Sequence, residues 1–171
     1  VYYPVTDNER MIVAVDKDRE QPIILASLYM KHAATSDDQK VTVRYLRDGY
    51  IENLVALMLN ERLSELQHRT DPPVLSATAR AGQFLVSRTK DAFSLSFGCR
   101  QENIRGSFDA VLTESERARR YGFTSAELQR AKAIRLKAAE RLFKERDMRK
   151  NGYYVRTALS HFLEAEPMLS A

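Results

Sequence analysis

Apolar residues along this chain change their spacing several times, and each change marks an element. "RMIVAV", Arg10 to Val15, and "PIILASLYMKH", Pro22 to His32, are β-branched and aliphatic runs split by the charged turn "DKDREQ". They read as two strands, the second apolar on both faces and so expected at the centre of a sheet. From Ser36 the spacing becomes helical. "SDDQ" forms a candidate capping box in which Ser36 and Gln39 satisfy each other's backbone N–H groups. Leu46, Tyr50, Leu54, Leu57, Leu63 and Leu66 then recur at helical steps, predicting one amphipathic helix to about Arg69. Asp71-Pro72-Pro73 ends it, because proline lacks the N–H and disfavours helical geometry before it.

Beyond the prolines, "VLSATARAGQFLV" and "AFSLSFGCR" flank the polar turn "SRTKD" and read as a hairpin. The second of these alternates, with Phe93, Leu95, Phe97 and Cys99 on one side and Ser94, Ser96 and Gly98 on the other. With Ser76, Thr78 and Arg80 from its partner, this predicts one greasy sheet face and one small, polar face. Helices are then expected over about Glu102 to Tyr121, Ser125 to Arg149 and Gly152 to Glu164. Gly122 suits a helix stop, "TSAE" at Thr124 to Glu127 is a second capping box, and Pro167 limits the last helix. The order β-β-α-β-β-α-α-α defines an α+β fold, a two-layer α/β sandwich with a mainly antiparallel sheet and helices packed on one face.

At 171 residues, with 44% hydrophobic and 29% charged residues, the chain suits one globular domain spanning residues 1–171. No run approaches the roughly 18 apolar residues of a membrane span, and the N-terminus has no secretory-signal pattern. The chain begins at Val1 and runs out through "EPMLSA", so a piece of a longer, multidomain polypeptide is expected; periplasm and cytoplasm both stay open as its compartment. The net charge of +4 is uneven: Ser125 to Lys150 holds nine Lys/Arg against four Asp/Glu. That excess raises the alternative of a stand-alone binding module or structural subunit, with weak nucleic-acid binding through helix 125–150 and residues such as Arg135 and Lys137. Its interleaved acids, Glu140 and Glu145 among them, favour a solvated helix face instead, and no nucleic-acid partner is expected.

Candidate chemistry is sparse. Glu65 and His68 stand three apart on the long helix, but a zinc site needs a second imidazole, and His32 and His161 lie in other elements without a carboxylate pattern. Glu65 is equally placed to pair with Arg69. Cys99 alternates with core residues, no Ser stands in a GxSxG elbow, and the six glycines form no phosphate-binding loop.

Two segments carry a resemblance. "LNERLSEL", Leu59 to Leu66, at the end of the long helix, and "GFTSAELQRAK", Gly122 to Lys132, opening a later one, are similar in order and spacing to the non-catalytic domain of the pitrilysin/insulinase family of HxxEH zinc metallopeptidases (inverzincins). The resemblance implies copies of one α/β domain enclosing a peptide-degrading chamber, with zinc held only by the copy that carries HxxEH. This chain has no HxxEH, so it implies an accessory copy: no catalytic residue, no metal ligand and no cofactor here, zinc in the catalytic domain of the parent protein, and a sister catalytic domain, in the same chain or on a partner subunit, as partner. Peptide substrate would be met through the parent enzyme. One site residue carries over: Arg69 falls where the family places a substrate-binding Arg, although Ser76 stands seven positions later where a Tyr is expected.

Overall fold

The computed structural model describes residues 4–168. Their elements are β1 (Ile24–Ala33), α1 (Asp37–Lys40), α2 (Val43–Gln67), β2 (Ser76–Gln83), β3 (Lys90–Cys99), α3 (Ile104–Tyr121), α4 (Ser125–Lys144) and α5 (Asn151–Glu164). Single 3₁₀ turns precede α3 at Gln101–Asn103 and follow α4 at Arg146–Met148. The fold is α+β, as the sequence predicts: a three-stranded antiparallel sheet in the order β1-β3-β2 with helices packed against it.

The chain forms two compact units. The first holds the residues up to Ala34 together with Val55–Phe123, and the second holds Thr35–Leu54 and the residues from Thr124 on. The first contains the sheet and one contiguous core. Leu59, Leu63 and Leu66 of α2 meet Ala79, Leu95, Phe97 and Cys99 of the sheet and Val111 of α3, with Val74 closing the α2–β2 connection. The Phe97 and Phe108 rings meet edge to face at 4.8 Å, an arrangement favoured by the ring quadrupoles. Alternation in β3 follows the expected pattern, and Leu95, Phe97 and Cys99 are buried.

Three sequence expectations need correction. Arg10–Val15 is not a strand: Met11, Ile12, Val13 and Val15 are 70–88% exposed, because a β-prone run holds its shape only where a neighbouring strand completes its ladder. β1 is an edge strand and β3, paired on both sides, the central one; Leu25 and Tyr29 of β1, apolar though they are, face the open side of the sheet. The long helix is broken at its start. The Ser36 side chain makes no capping bond, and Gln39 N–H donates instead to the Ser36 carbonyl at 3.0 Å, which leaves α1 a single turn. Thr42 is the working cap: its Oγ1 accepts from Tyr45 N–H at 3.2 Å.

In the second unit the Thr124 box forms in full. Thr124 Oγ1 accepts from Glu127 N–H at 3.3 Å, and the Glu127 carboxylate accepts from Thr124 N–H at 2.6 Å. Tyr45 Oη donates to Glu166 at 2.7 Å, tying the start of α2 to the segment after α5. Ala131 is the buried residue of α4.

Candidate functional site

The structure separates the polar residues in and just past the C-terminal half of α2 into two groups. The first faces inward. Asn60 uses both ends of its amide on one residue of β2: Nδ2 donates to Ala79 O at 2.9 Å, and Oδ1 accepts from Ala79 N–H at 2.7 Å. Gln67 Nε2 adds a longer bond to Ala77 O at 3.4 Å. The outer backbone edge of β2 is therefore covered by side-chain amides of α2, a standard protection for a sheet edge.

Arg62 is buried at 9% exposure, its guanidinium stacked 4.6 Å from the Phe123 ring and its Nη2 donating to Gly122 O at 3.1 Å. Gly122 is held at φ +68° and ψ −151°, a conformation nearly confined to glycine, and its N–H closes α3 on Ala118 O. "LNERLSEL" and "GFTSAELQRAK" thus meet in space: Arg62 of the first clasps Gly122 and Phe123 of the second. The sequence analysis does not find this role for Asn60 and Arg62; its signal is a pair of polar residues set inside the Leu59–Leu63–Leu66 apolar stripe.

The second group faces water. Glu65, His68 and Arg69 are exposed at and beyond the end of α2. His68 Nδ1 lies 2.7 Å from Ser64 O, an intrahelical contact, and among the described residues the expected Glu65–Arg69 ion pair does not form. His32 Nδ1 and His161 Nδ1 likewise sit against local carbonyls, Ala33 O and Glu166 O. Among the described residues no three His, Cys, Asp or Glu side chains gather as metal ligands. Ser76 begins β2 on the open sheet face, and Arg69 is not brought against it by any bond.

The open face itself is small and polar in its middle. Ser27, Ser96 and Thr78 align across the three strands, with Ser27 Oγ and Ser96 Oγ 2.9 Å apart. A Cβ at Gly98 would stand 2.9 Å from Ser76 Oγ and 3.4 Å from Ile23 Cδ1, so glycine lets these neighbours close over the strand. At the far end of the same face Asp7 pairs with Lys90 at 2.7 Å, and the Lys90 hydrogen bond holds the Asp7 carboxyl below its usual range. Lys31 Nζ donates to Thr6 O and lies 5.5 Å from the Phe84 ring. Around the connection after α2, Asn103 Nδ2 and Ser107 Oγ both donate to Pro73 O, beside an open hollow of about 280 Å³ lined by Asp71, Pro72, Val74, Arg100 and Asn103.

No protein-family model matches the chain, and no curated protein does. Among solved structures, the fold is similar to one domain-sized part of a multidomain protease. That protein is the periplasmic protease PqqL from Escherichia coli, with a TM-score of 0.64 and 18% identity over 86% of this chain and 16% of PqqL. The first half of the same protease, solved separately, matches with the same score and identity over 86% of this chain and 30% of that one. The likeness is one of fold, and the chain spans less than a third of either structure. Among the described residues no helix is long and apolar enough to cross a membrane.

Proposed function

We propose that this chain is an accessory domain of a zinc-dependent peptidase, without hydrolytic chemistry of its own, that buttresses a zinc-bearing sister domain and lines part of the chamber that receives the peptide. The observation that carries the reading is the shared fold: 86% of the chain aligns with one part of a periplasmic protease. The resemblance of "LNERLSEL" and "GFTSAELQRAK" to the non-catalytic domain of HxxEH peptidases points the same way. Their inward-facing residues act as fold clasps, which accounts for both segments without assigning them catalysis.

On this reading the open sheet face, with its rows of Ser, Thr and Gly, is the chamber wall, and Arg69, exposed past the end of α2, offers a cation to a peptide carboxylate or carbonyl. The metal that activates water is held by the sister domain. The periplasm, where PqqL works, is the compartment we assign to the parent protein. α4 is scaffold in this scheme, so DNA and RNA affinity should lack the steep salt dependence of a phosphate-tracking helix.

Metal analysis and a peptide digest test the assignment. The purified chain should carry no stoichiometric zinc and leave an unstructured peptide intact. One zinc per chain, lost on His68→Ala, would defeat it.

A further inference from the structure

The two edges of the sheet are treated differently. Asn60 and Gln67 reach the outward backbone groups of β2 at Ala79 and Ala77. Because residues of an antiparallel strand turn their N–H and C=O groups to alternate sides, this fixes the sense of the whole ladder. Ser94 Oγ bonded to Arg80 O, Phe84 N–H bonded to Lys90 O and Ala34 N–H bonded to Thr89 O agree with it. Ala79 faces Leu95 across the non-bonded register, so Leu95 bonds Leu28, and Leu25, Ser27, Tyr29 and Lys31 turn their backbone groups away from β3. Among the described residues nothing bonds those outward groups. The edge is also apolar, with Leu25 65% and Tyr29 43% exposed, and its one cation, Lys31, is drawn down to Thr6 and Phe84. A ten-residue edge of this kind lacks the usual guards against strand addition.

The same unit carries a β-prone run that pairs with no strand. Residues 5–7 are pinned to the sheet through Val5 N–H on Thr89 Oγ1 and Asp7 on Lys90, and β1 starts at Ile24. Between them runs an exposed arm without regular structure, its bends shaped by Asn8 Nδ2 on Arg10 O and by Asp16 and Asp18 on the N–H groups of Lys17 and Glu20. At its centre lies "RMIVAV". A connection this long with an exposed apolar, β-branched middle calls for a partner.

We infer that the arm Arg10–Val15 of one copy adds as a strand to the outer edge of β1 in a second copy of this chain, and that the two copies exchange arms about a two-fold axis. Each copy holds both halves of the pair, a donor arm that is not paired with its own β1 and an acceptor edge, so one symmetric association satisfies both. Alternation within the arm suits the acceptor. Met11, Val13 and Val15 fall beside Leu25 and Tyr29 on one face, while Ile12 and Ala14 continue the row of Ala26 and Leu28 on the other.

Light scattering on the full chain, combined with amide hydrogen exchange, tests this. A dimer is expected, with slowed exchange at Leu25, Ser27, Tyr29 and Lys31, and Val13→Pro should convert it to a folded monomer in which those four amides exchange at least tenfold faster. Val13 touches no core residue, and an unchanged circular dichroism spectrum will confirm that the variant folds. Excess synthetic peptide ERMIVAVD should split the dimer while keeping the four amides protected. A monomer with fast edge exchange overturns the proposal, as does a monomer with slow exchange, which would mean that the arm closes on its own β1. A dimer that survives Val13→Pro also overturns it, since β1 would then be pairing directly with β1.

Discussion

Asn60 and Arg62 sit two positions apart on α2 and hold different elements, β2 and the α3 terminus, to the same helix. Neither role is legible from hydropathy, because a polar residue inside an apolar stripe reads only as an interruption until its partner is seen. Asn60→Ala leaves the Ala79 N–H and C=O without partners at a half-buried edge and is expected to cost about 1–3 kcal/mol, measurable by urea unfolding. Leu63, fully buried, is the opposite case: its place was evident from spacing alone, and Leu63→Ala should cost about 2–5 kcal/mol. Gly122→Ala forces a Cβ into a backbone conformation nearly confined to glycine and should lose about 1–3 kcal/mol. Among charges, Glu116 is the residue to titrate. Bidentate hydrogen bonds from Arg119, with a further one from Arg120, hold its carboxyl at about 2, below the ordinary 4.5. A depressed carboxyl stabilises the folded state above the unfolded value and loses that contribution as pH falls from 4.5 through about 2. Carbon-detected NMR should place its midpoint near the lower figure, and Glu116→Gln should flatten the acid limb of the unfolding curve in that window.

At the scale of elements, the helices and the hairpin were legible and the sheet edges were not. The box at Thr124 formed as the sequence implied, while the similar pattern at Ser36 did not; only the first opens a helix long enough to be worth capping. Thr124→Ala should accordingly lower stability by about 1 kcal/mol, whereas Ser36→Ala should be nearly silent, a contrast that thermal unfolding of the two variants will show. Two apolar β-branched runs precede α1, yet the sequence does not say which becomes a strand. That choice depends on a neighbour: Ile24–Ala33 finds β3, and Arg10–Val15 finds no partner within its own unit. Centrality misled for a related reason. Apolar residues on both faces of β1 suggested burial on both, but Leu25 and Tyr29 serve an exposed face, and the strand buried by its neighbours is β3.

At the scale of the molecule, what the chain shares with part of PqqL is a fold, and the fold puts no metal cluster among its described residues. Glu65 near the end of α2 and His68 just past it face solvent singly, His68 bonded back to Ser64 O of that helix. Arg69 is exposed, and the substrate role proposed for this end of α2 rests on its cation alone. The proposed role requires a sister domain that supplies the chemistry, and sequencing the parent coding frame on both sides of Val1 and Ala171 decides it. An HxxEH motif is expected on a helix of a second domain with this fold, in the same frame or in a co-encoded subunit. A closed frame with no such motif in it or in any co-purifying subunit would contradict the claim and leave the chain to act alone.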